Sequence, residues 1–354
     1  MAQSSSNNKT WAIVIALVFI LLAGATYNLG KDDDSKKDSD ASSADSTKSI
    51  VDVVLEKSGE VDQSAENKFS KDNPYVVNQP VEGDPYEELR NLTGLESVKK
   101  EVESLANFVR IQKQREAQGL KVPSITNHCV FTGSPGTGKT TVARLLARIY
   151  KDLGVVKKGH LVETDKSGLI AEYVGQTAVK TNAIVDSALN GILFIDEAYA
   201  ITEEGKGGYG DEAIATLLKR MEDDRDRLVV IVAGYDKEME RFIDSNPGLK
   251  SRFTRYIKFP DYKPEELHEI FMQRVEKYNY DITPEAKEYL MQSLTNTVAH
   301  KTRTFGNGRY SRNLFEMTIT CQANRISKIS NPTKEQLSLI TIDDIKQAVG
   351  QVKE

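Results

Sequence analysis

The sequence predicts an α/β protein in which a parallel sheet is covered by helices and followed by a smaller helical domain. Three observations support this prediction. Strand and helix patterns alternate up to about Pro260, as they do in chains of βαβ units. A glycine-rich loop at residues 133–140 joins one of these strands to a helix. From Asp261 onward the pattern is all helical, so we predict one domain over 85–260 and a second over 261–354.

The composition narrows the class of protein. The chain of 354 residues is long enough for two domains and a tail, and its net charge of −5 suits a soluble enzyme domain. No basic stripe is interleaved with aromatic residues, so we expect no nucleic-acid partner. Cys129 and Cys321 are too few for a disulfide framework, which agrees with a reducing compartment.

An uncharged apolar run follows a short N-terminal tail, residues 1–10. The run, residues 11–29, is just long enough to span a bilayer and predicts a single membrane anchor. Lys31, Lys36 and Lys37 come next, which favours a cytoplasmic location for the rest of the chain. We therefore expect a single-pass protein of the cell membrane with its folded part in the cytoplasm. A cleaved signal peptide and a buried hydrophobic helix are the alternatives.

Residues 30–84 are expected to form a disordered tether. The stretch from residue 30 to 48 consists almost entirely of Asp, Ser, Lys and Ala, and it cannot bury enough apolar surface to fold. The stretch from 50 to 80 has a few apolar residues without a sustained period, which leaves open a short helix or a docking segment. We expect the folded part to begin near Pro85.

The pattern of apolar residues and the helix-start signals predict helices and strands in both domains. Apolar residues keep helical spacing over residues 95–115. In the second domain, helix starts are expected where proline or a capping oxygen precedes acidic residues, at Pro264, Pro284 and Thr341. Short apolar runs predict four strands in the first domain, at residues 128–132, 160–163, 192–195 and 228–233.

The loop at residues 133–140 reads GSPGTGKT, the G-x-x-x-x-G-K-T pattern of nucleotide triphosphatases. Its glycines let backbone N–H groups face phosphates, and the helix N-terminus that follows adds partial positive charge. Lys139 can reach the β and γ phosphates, and the Thr140 hydroxyl can ligate Mg²⁺. The pattern predicts binding of ATP and Mg²⁺ by the residues of this loop: Ser134, Pro135, Gly136, Thr137, Gly138, Lys139, Thr140 and Thr141.

A second motif, ILFIDE at residues 192–197, places two acids directly after a buried strand. The carboxyl end of a parallel strand is where ligands of such sheets bind. We expect Asp196 to hold Mg²⁺, usually through water, and Glu197 to polarise the attacking water. Two surface acids at a helix start are the alternative. The phosphate loop upstream favours the catalytic interpretation.

Together these motifs resemble an AAA+ ATPase. The similarity is greater to the branch that includes red-type Rubisco activase and stage V sporulation protein K, and type VII secretion ATPases have a related domain. It covers roughly residues 88–330 and implies a P-loop AAA+ fold with a lid domain, ATP hydrolysis and a homo-oligomer, with a hexamer as the family expectation. The segments that resemble this branch are residues 159–181, 191–200, 225–235, 246–253, 259–262 and 306–316.

The resemblance assigns roles to two arginines. Arg252 matches the arginine finger, which reaches the γ-phosphate of a neighbouring subunit, and Arg255 is the nearby alternative. Arg309 matches the sensor-2 arginine, which contacts the same nucleotide from the lid. Arg312, one turn later, fits that role less well.

Two further expectations concern the nucleotide. Many AAA+ proteins end the strand before the finger in a polar residue that orients water, whereas this strand is followed by Tyr235. The Tyr235 O–H can serve as a donor in its place. The adenine is expected to be held by backbone and apolar contact around Leu92, Gly94 and Leu95.

Residues Tyr173, Val174 and Gly175 match the aromatic–apolar–Gly pattern of a loop that faces the central channel of AAA+ rings. An aromatic side chain there can grip an extended peptide without specific hydrogen bonds, which implies a protein client. A buried tyrosine near a helix start is the alternative. The glycine-rich residues 203–210 form either a second channel loop or a plain flexible connection.

Two functions follow from these predictions. The first is a membrane-anchored ATPase that remodels or threads a protein client. The second is a nucleotide-gated assembly or scaffold protein of sporulation or secretion type, in which hydrolysis acts as a timer. Rubisco activation fits poorly, because a membrane anchor is not expected of an activase in solution.

Overall fold

The computed structural model describes residues 74–352, except for 124–125, 172, 174 and 203–207. The predicted anchor at residues 11–29 and most of the predicted tether lie outside this part of the chain. Val174 and most of the glycine-rich stretch after the acidic pair lie outside it as well. Among the helices that are described, none is long and apolar enough to cross a membrane.

A six-stranded sheet forms the centre of the first domain, in the order β1-β3-β4-β5-β2-β6. Strands β2 to β6 are parallel, whereas β1 pairs antiparallel with β3. The predicted parallel sheet is therefore mixed at one edge. The strands are β1 (Val76–Asn78), β2 (Cys129–Thr132), β3 (Leu161–Thr164), β4 (Gly191–Ile195), β5 (Leu228–Gly234) and β6 (Arg255–Lys258).

The two edge strands were not predicted. Strand β1 lies in residues assigned to the disordered tether, so that assignment is wrong for Val76–Asn78. Pairing with β3 and a hydrogen bond of 2.7 Å from Thr164 Oγ1 to the Pro74 carbonyl hold it in place. In β6 only Ile257 is buried. Short strands with few buried residues give no clear apolar run, which is why the sequence pattern misses them.

Helices cover both faces of the sheet. Alternate residues of β2 point to opposite faces, so that Phe131 belongs to one core and Val130 to the other. The first-domain helices are α1 (Pro85–Asn91), α2 (Glu96–Ala117), α3 (Lys139–Asp152), α4 (Lys166–Leu169), α5 (Gln176–Ala188), α6 (Tyr209–Asp223), α7 (Asp236–Asp244) and α8 (Pro247–Arg252). A 3₁₀ helix, Ala198–Thr202, follows the acidic pair.

The lid domain is almost entirely helical, with one pair of two-residue parallel strands, β7 (Asp281–Ile282) and β8 (Leu339–Ile340). The predicted helix starts at residues 264, 284 and 341 are confirmed. The lid packs on the same core as α2 and α3, so it covers one face of the sheet. Its helices are α9 (Pro264–Lys277), α10 (Pro284–His300), α11 (Gly308–Ile326), α12 (Lys334–Ser338) and α13 (Ile342–Gln351).

Candidate functional site

The glycine-rich loop connects β2 to α3, which begins at Lys139. Gly133, Gly136 and Gly138 have φ angles of 144°, 68° and 94°, which residues with a side chain rarely adopt. A Cβ atom at Gly136 would lie 1.9 Å from the carbonyl oxygen of Gly306 in the lid. These glycines are therefore required both by the backbone conformation and by close approach of the lid.

The Lys139 ammonium lies inside this loop. Its Nζ donates hydrogen bonds to the carbonyls of Gly133 and Ser134, each at 2.8 Å. Burial lowers the pKa of Lys139, and the nearby Asp196 charge opposes that effect. The Thr137 hydroxyl is buried and donates to the Ser134 carbonyl at 2.8 Å, and this hydrogen bond within the loop stabilises its conformation.

The acidic pair follows β4 at the carboxyl edge of the sheet. The Asp196 N–H donates to the Thr164 carbonyl at 2.8 Å, and the Asp196 carboxylate accepts from the Glu197 N–H at 3.1 Å. Glu197 is exposed and has a φ of 47°, a left-handed conformation that is uncommon for a residue with a long side chain. Backbone strain of this kind concentrates at functional sites.

A cavity of about 540 Å³ joins the loop to the acidic pair and to the lid. Its position at the carboxyl ends of β2, β4 and β5 is where ligands of parallel sheets bind. The structure thus brings together ten of the residues predicted from the sequence. They are Pro135, Gly136, Gly138, Lys139, Thr140, Thr141, Asp196, Glu197, Tyr235 and Arg309.

The lid contributes a wall that the sequence did not predict. Ile270 and Arg274, four residues apart on α9, share one face of that helix and line the cavity. Tyr262 lines it too, with its O–H 3.4 Å from the Thr137 carbonyl, and burial raises its pKa to about 12. Arg312, the less favoured sensor residue, also lines the cavity next to Arg309. The periodicity of α9 was the available signal, but it does not say which face meets the nucleotide domain.

Tyr235 lies between the two domains at the edge of the cavity. The Arg303 guanidinium carbon is 5.3 Å from the centre of its ring, and the ring of Tyr199 is 6.2 Å away. Burial raises the pKa of Tyr235, and the negative charge of Glu197 adds to this effect. The phenol therefore stays protonated and can donate a hydrogen bond at neutral pH.

The residues predicted to hold adenine are not part of the cavity wall. Leu95 is buried and is the N-cap residue of α2, and a Cβ atom at Gly138 would lie 3.4 Å from the Leu95 Cδ1. Gly94 faces Glu266 of the lid, where a Cβ atom would meet the carboxylate at 2.4 Å. Leu92 packs against the core. The adenine site at these three residues stays a prediction.

Arg252 lies far from this cavity in the same chain. It ends α8, just before β6, and its Nη2 is 3.6 Å from a carboxylate oxygen of Glu222. Strand β6 has 4 residues, which at about 3.3 Å per residue puts roughly 13 Å between the two edges of the sheet. The alternative, Arg255, stacks at 4.9 Å over the Phe108 ring. Both arginines therefore lie at the amino edge, opposite the cavity.

Tyr173 is 66% exposed, so the alternative of a buried tyrosine is wrong. It lies in the connection between α4 and α5, two residues before Gly175, which is the N-cap residue of α5 and has a φ of 79°. No atom lies within 4 Å of a Cβ atom built at Gly175. Tyr173 and Gly175 are therefore both accessible to a partner.

Comparison with known proteins identifies the family. Residues 129–261 match the family described as "ATPase family associated with various cellular activities (AAA)", and residues 263–354 match the AAA lid domain. Stage V sporulation protein K of Bacillus subtilis is 40% identical over 262 residues, which cover 73% of this chain and 80% of that protein. The chain belongs to the AAA ATPase family.

This AAA ATPase is also similar to longer proteins. The ESX-3 secretion system protein EccA3 of Mycolicibacterium smegmatis is 44% identical over 277 residues, and ESX-1 secretion system protein EccA1 of Mycobacterium tuberculosis is 42% identical over 277 residues. The matched parts cover 74% and 75% of this chain but only 46% and 48% of those proteins. The chain thus spans about half the length of these secretion proteins.

Solved structures agree on the fold. The crystal structure of the FIGL-1 AAA domain has a TM-score of 0.55 and 20% identity, and the match covers 83% of this chain and 93% of that one. The same domain in complex with ADP gives the same TM-score. At this identity the likeness supports the AAA fold and no more.

The cavity also fits a magnesium ion by its donor chemistry. Thr140 supplies a hydroxyl and the half-buried Asp196 a carboxylate, and both line the same cavity. Mg²⁺ prefers oxygen ligands and is usually held by one or two protein oxygens together with substrate phosphates and water. These two residues of the AAA ATPase are therefore suited to hold the ion.

Proposed function

We propose that this AAA ATPase hydrolyses ATP in a homo-oligomeric ring and uses the energy to remodel or thread a protein client. The observation that carries the proposal is the gathering of Lys139, Thr140, Asp196 and Glu197 in one cavity, while Arg252 lies at the opposite edge of the sheet. Six subunits are the expectation from the family.

Six of the residues that line the cavity have a role in the proposed reaction. The loop N–H groups and Lys139 bind the phosphates, and Thr140 with Asp196 would hold Mg²⁺, which neutralises charge on the phosphates. Glu197 accepts a proton from the attacking water and orients it. Arg309 contacts the nucleotide from the lid, and the Tyr235 O–H donates to the same region.

The opposite placement of Arg252 supports a site shared between two subunits. An arginine finger stabilises charge on the γ-phosphate only when its guanidinium contacts that phosphate. Because the sheet separates Arg252 from the cavity of its own chain, the Arg252 side chain would serve the neighbouring subunit. A head-to-tail arrangement of this kind closes into a ring when the rotation between subunits allows it.

The exposed Tyr173 supports a protein client in the channel. With Gly175 behind it, this loop can move on the surface of the ring, and the aromatic ring of Tyr173 offers apolar contact to an extended chain. Val174 would add to that contact. Motion of the loop during the ATP cycle would then pull on the client.

We further propose that residues 11–29 anchor the protein in the cell membrane, with the ATPase on the cytoplasmic side. The uncharged run and the lysines that follow it support this location. ATP is abundant only inside the cell, which is why the nucleotide site belongs on that side.

A nucleotide-gated assembly protein is the second candidate. The names of the relatives favour it, since one is a sporulation protein and others belong to secretion systems. In this alternative ATP binding sets ring formation and partner docking, hydrolysis acts as a timer, and Tyr173 is dispensable.

The two candidates differ in how a client is held. The Glu197→Gln variant should bind ATP without hydrolysing it and retain its client in native membranes. Adding Tyr173→Ala should release that client, whereas adding Val179→Ala, on the equally exposed Val179 of α5, should not. Retention of the same proteins in the Tyr173→Ala background would contradict threading and favour the assembly protein.

A further inference from the structure

Residues 306–308, where the chain turns into α11, pack against the phosphate loop. The Gly308 N–H donates to the Gly136 carbonyl at 3.0 Å. The Gly306 carbonyl lies so close to Gly136 that a side chain at Gly136 would collide with it. The lid therefore contacts the main chain of the loop that binds phosphate, in addition to lining the cavity with Arg309.

Asn307 is the centre of this contact. It is fully buried, and its amide nitrogen lies 3.3 Å from the Pro135 carbonyl, 3.1 Å from the Asp261 carboxylate and 3.1 Å from the Phe305 carbonyl. Its amide oxygen accepts the Tyr262 N–H at 3.0 Å. An asparagine supplies both the donors and the acceptor that this position needs.

Two features indicate that Asn307 is under constraint. Its φ is 48° and its ψ is −122°, so it holds a conformation that side chains rarely adopt. Its partner Asp261 also bonds to Ser134 of the phosphate loop and to Lys301 of the lid. The amide and the carboxylate thus connect the loop, the linker between the domains and the lid.

We propose that Asn307 is a positioning residue that couples the phosphate loop to the orientation of the lid. It does not touch the cavity, so it would act through the Pro135 carbonyl and through the start of α11, which carries Arg309. A shift of the loop on ATP binding or hydrolysis would be passed directly to the lid. This inference rests on the proposed ATP hydrolysis.

The test is hydrogen exchange of the full chain, with and without a non-hydrolysable ATP analogue, in peptides that cover the phosphate loop and residues 305–312. In the unaltered protein the analogue should change exchange in both peptides. In Asn307→Asp the amide donor becomes an acceptor beside Asp261, so the loop should still respond while the lid peptide does not. Turnover should fall by about tenfold, within the range of typical coupling effects.

Two further variants separate coupling from folding. Asn307→Gly suits the left-handed backbone and adds no charge, so it should fold and still lose the lid response. Asn313→Asp makes the same charge change on an exposed residue of α11 and should behave as the unaltered protein. Fast exchange of the whole lid without nucleotide in both Asn307 variants would assign Asn307 a purely structural role and overturn the proposal.

The remaining outcomes are also decisive. A normal lid response in both Asn307 variants would overturn the coupling while leaving ATP binding intact. The coupling would also be overturned if, in the unaltered protein, the analogue changed hydrogen exchange in the loop peptide but not in the lid peptide. Absence of any response at the loop of the unaltered protein would instead refute the proposed function, and the coupling with it.

Discussion

The two edges of the central sheet differ in what they can do alone. The carboxyl edge gathers the phosphate loop, the acidic pair and the lid around one cavity. The amino edge carries Arg252, whose side chain lies near Glu222. Arg252 is not one of the residues that line the cavity. In the proposed mechanism a single chain therefore carries both halves of the hydrolytic site at opposite edges, and the two halves meet only between subunits.

The largest expected effect concerns the carboxyl edge. Lys139→Ala should abolish ATP binding, because it removes the half-buried ammonium that lies within the phosphate loop, 2.8 Å from the carbonyls of Gly133 and Ser134. Titration calorimetry of the full chain checks this. Lys151→Ala, at the exposed end of the same helix α3, is the control and should bind normally. An unchanged affinity of Lys139→Ala for ATP would refute the assignment of residues 133–140 as a phosphate-binding loop.

The next effect concerns the amino edge. Arg252→Ala should bind ATP normally but lose hydrolysis by about a thousandfold or more, as expected for an arginine finger. Steady-state turnover and calorimetry on the same preparation measure both. Arg225→Ala removes a neighbouring exposed arginine of that edge and should retain turnover. Should the two variants hydrolyse ATP equally, Arg252 would have no special role.

A third prediction tests whether the amino edge also has a structural function. His128, just before β2, is 1% exposed and accepts the Val230 N–H at 3.0 Å. Burial lowers its pKa to about 4. As pH falls below about 6.5 the unfolded chain takes up this proton first, so the free energy of unfolding should decrease until about pH 4, by roughly 3 kcal/mol in total.

Urea unfolding between pH 7 and 4 measures this dependence. His128→Asn keeps an acceptor for the Val230 N–H and removes the titrating group, so its stability should fall less steeply over the same interval. Parallel pH dependences of the two proteins would show that His128 does not titrate as its burial predicts.

The smallest expected effect is on thermal stability, and it is predicted for one exposed ion pair at each edge of the sheet. Arg303 pairs with Glu238 at 2.6 Å near the cavity, and Lys250 pairs with Asp244 at 2.8 Å near Arg252. Exposed pairs contribute little to stability and are screened by salt. Arg303→Gln and Lys250→Gln should therefore barely move the thermal unfolding midpoint.

The two variants should still differ in ATP turnover. Arg303 lies over the Tyr235 ring, so its loss should lower turnover by about two- to fivefold, as an exposed cation–π contact allows. Lys250→Gln should leave turnover unchanged. Equal turnover of the two variants would show that the contact with Tyr235 does not matter for hydrolysis.

These results also show what the sequence could predict. The phosphate loop and the acidic pair were identified because each is a local pattern attached to a run of buried apolar residues. The four inner strands were found for the same reason. Strands β1 and β6 were missed because they lie at the edges, where few of their residues are buried.

Contacts between distant residues account for the rest. Ile270 and Arg274 line the cavity only because the lid packs on α2 and α3, and no local pattern records that packing. The hydrogen bond from Asn307 to Pro135 joins residues 172 positions apart. The position of Arg252 opposite the cavity depends on strand order, which places β6 beside β2.

The claim that one ATP site is built from two subunits can be tested by mixing variants. Glu197→Gln subunits lack the general base but retain Arg252, and Arg252→Ala subunits retain Glu197 but supply no finger. Each preparation alone should be inactive, and ATP turnover measured after mixing should recover at interfaces that combine an intact base with an intact finger. Continued inactivity of mixed rings, with exchange of subunits verified, would contradict a finger that acts on the neighbouring subunit.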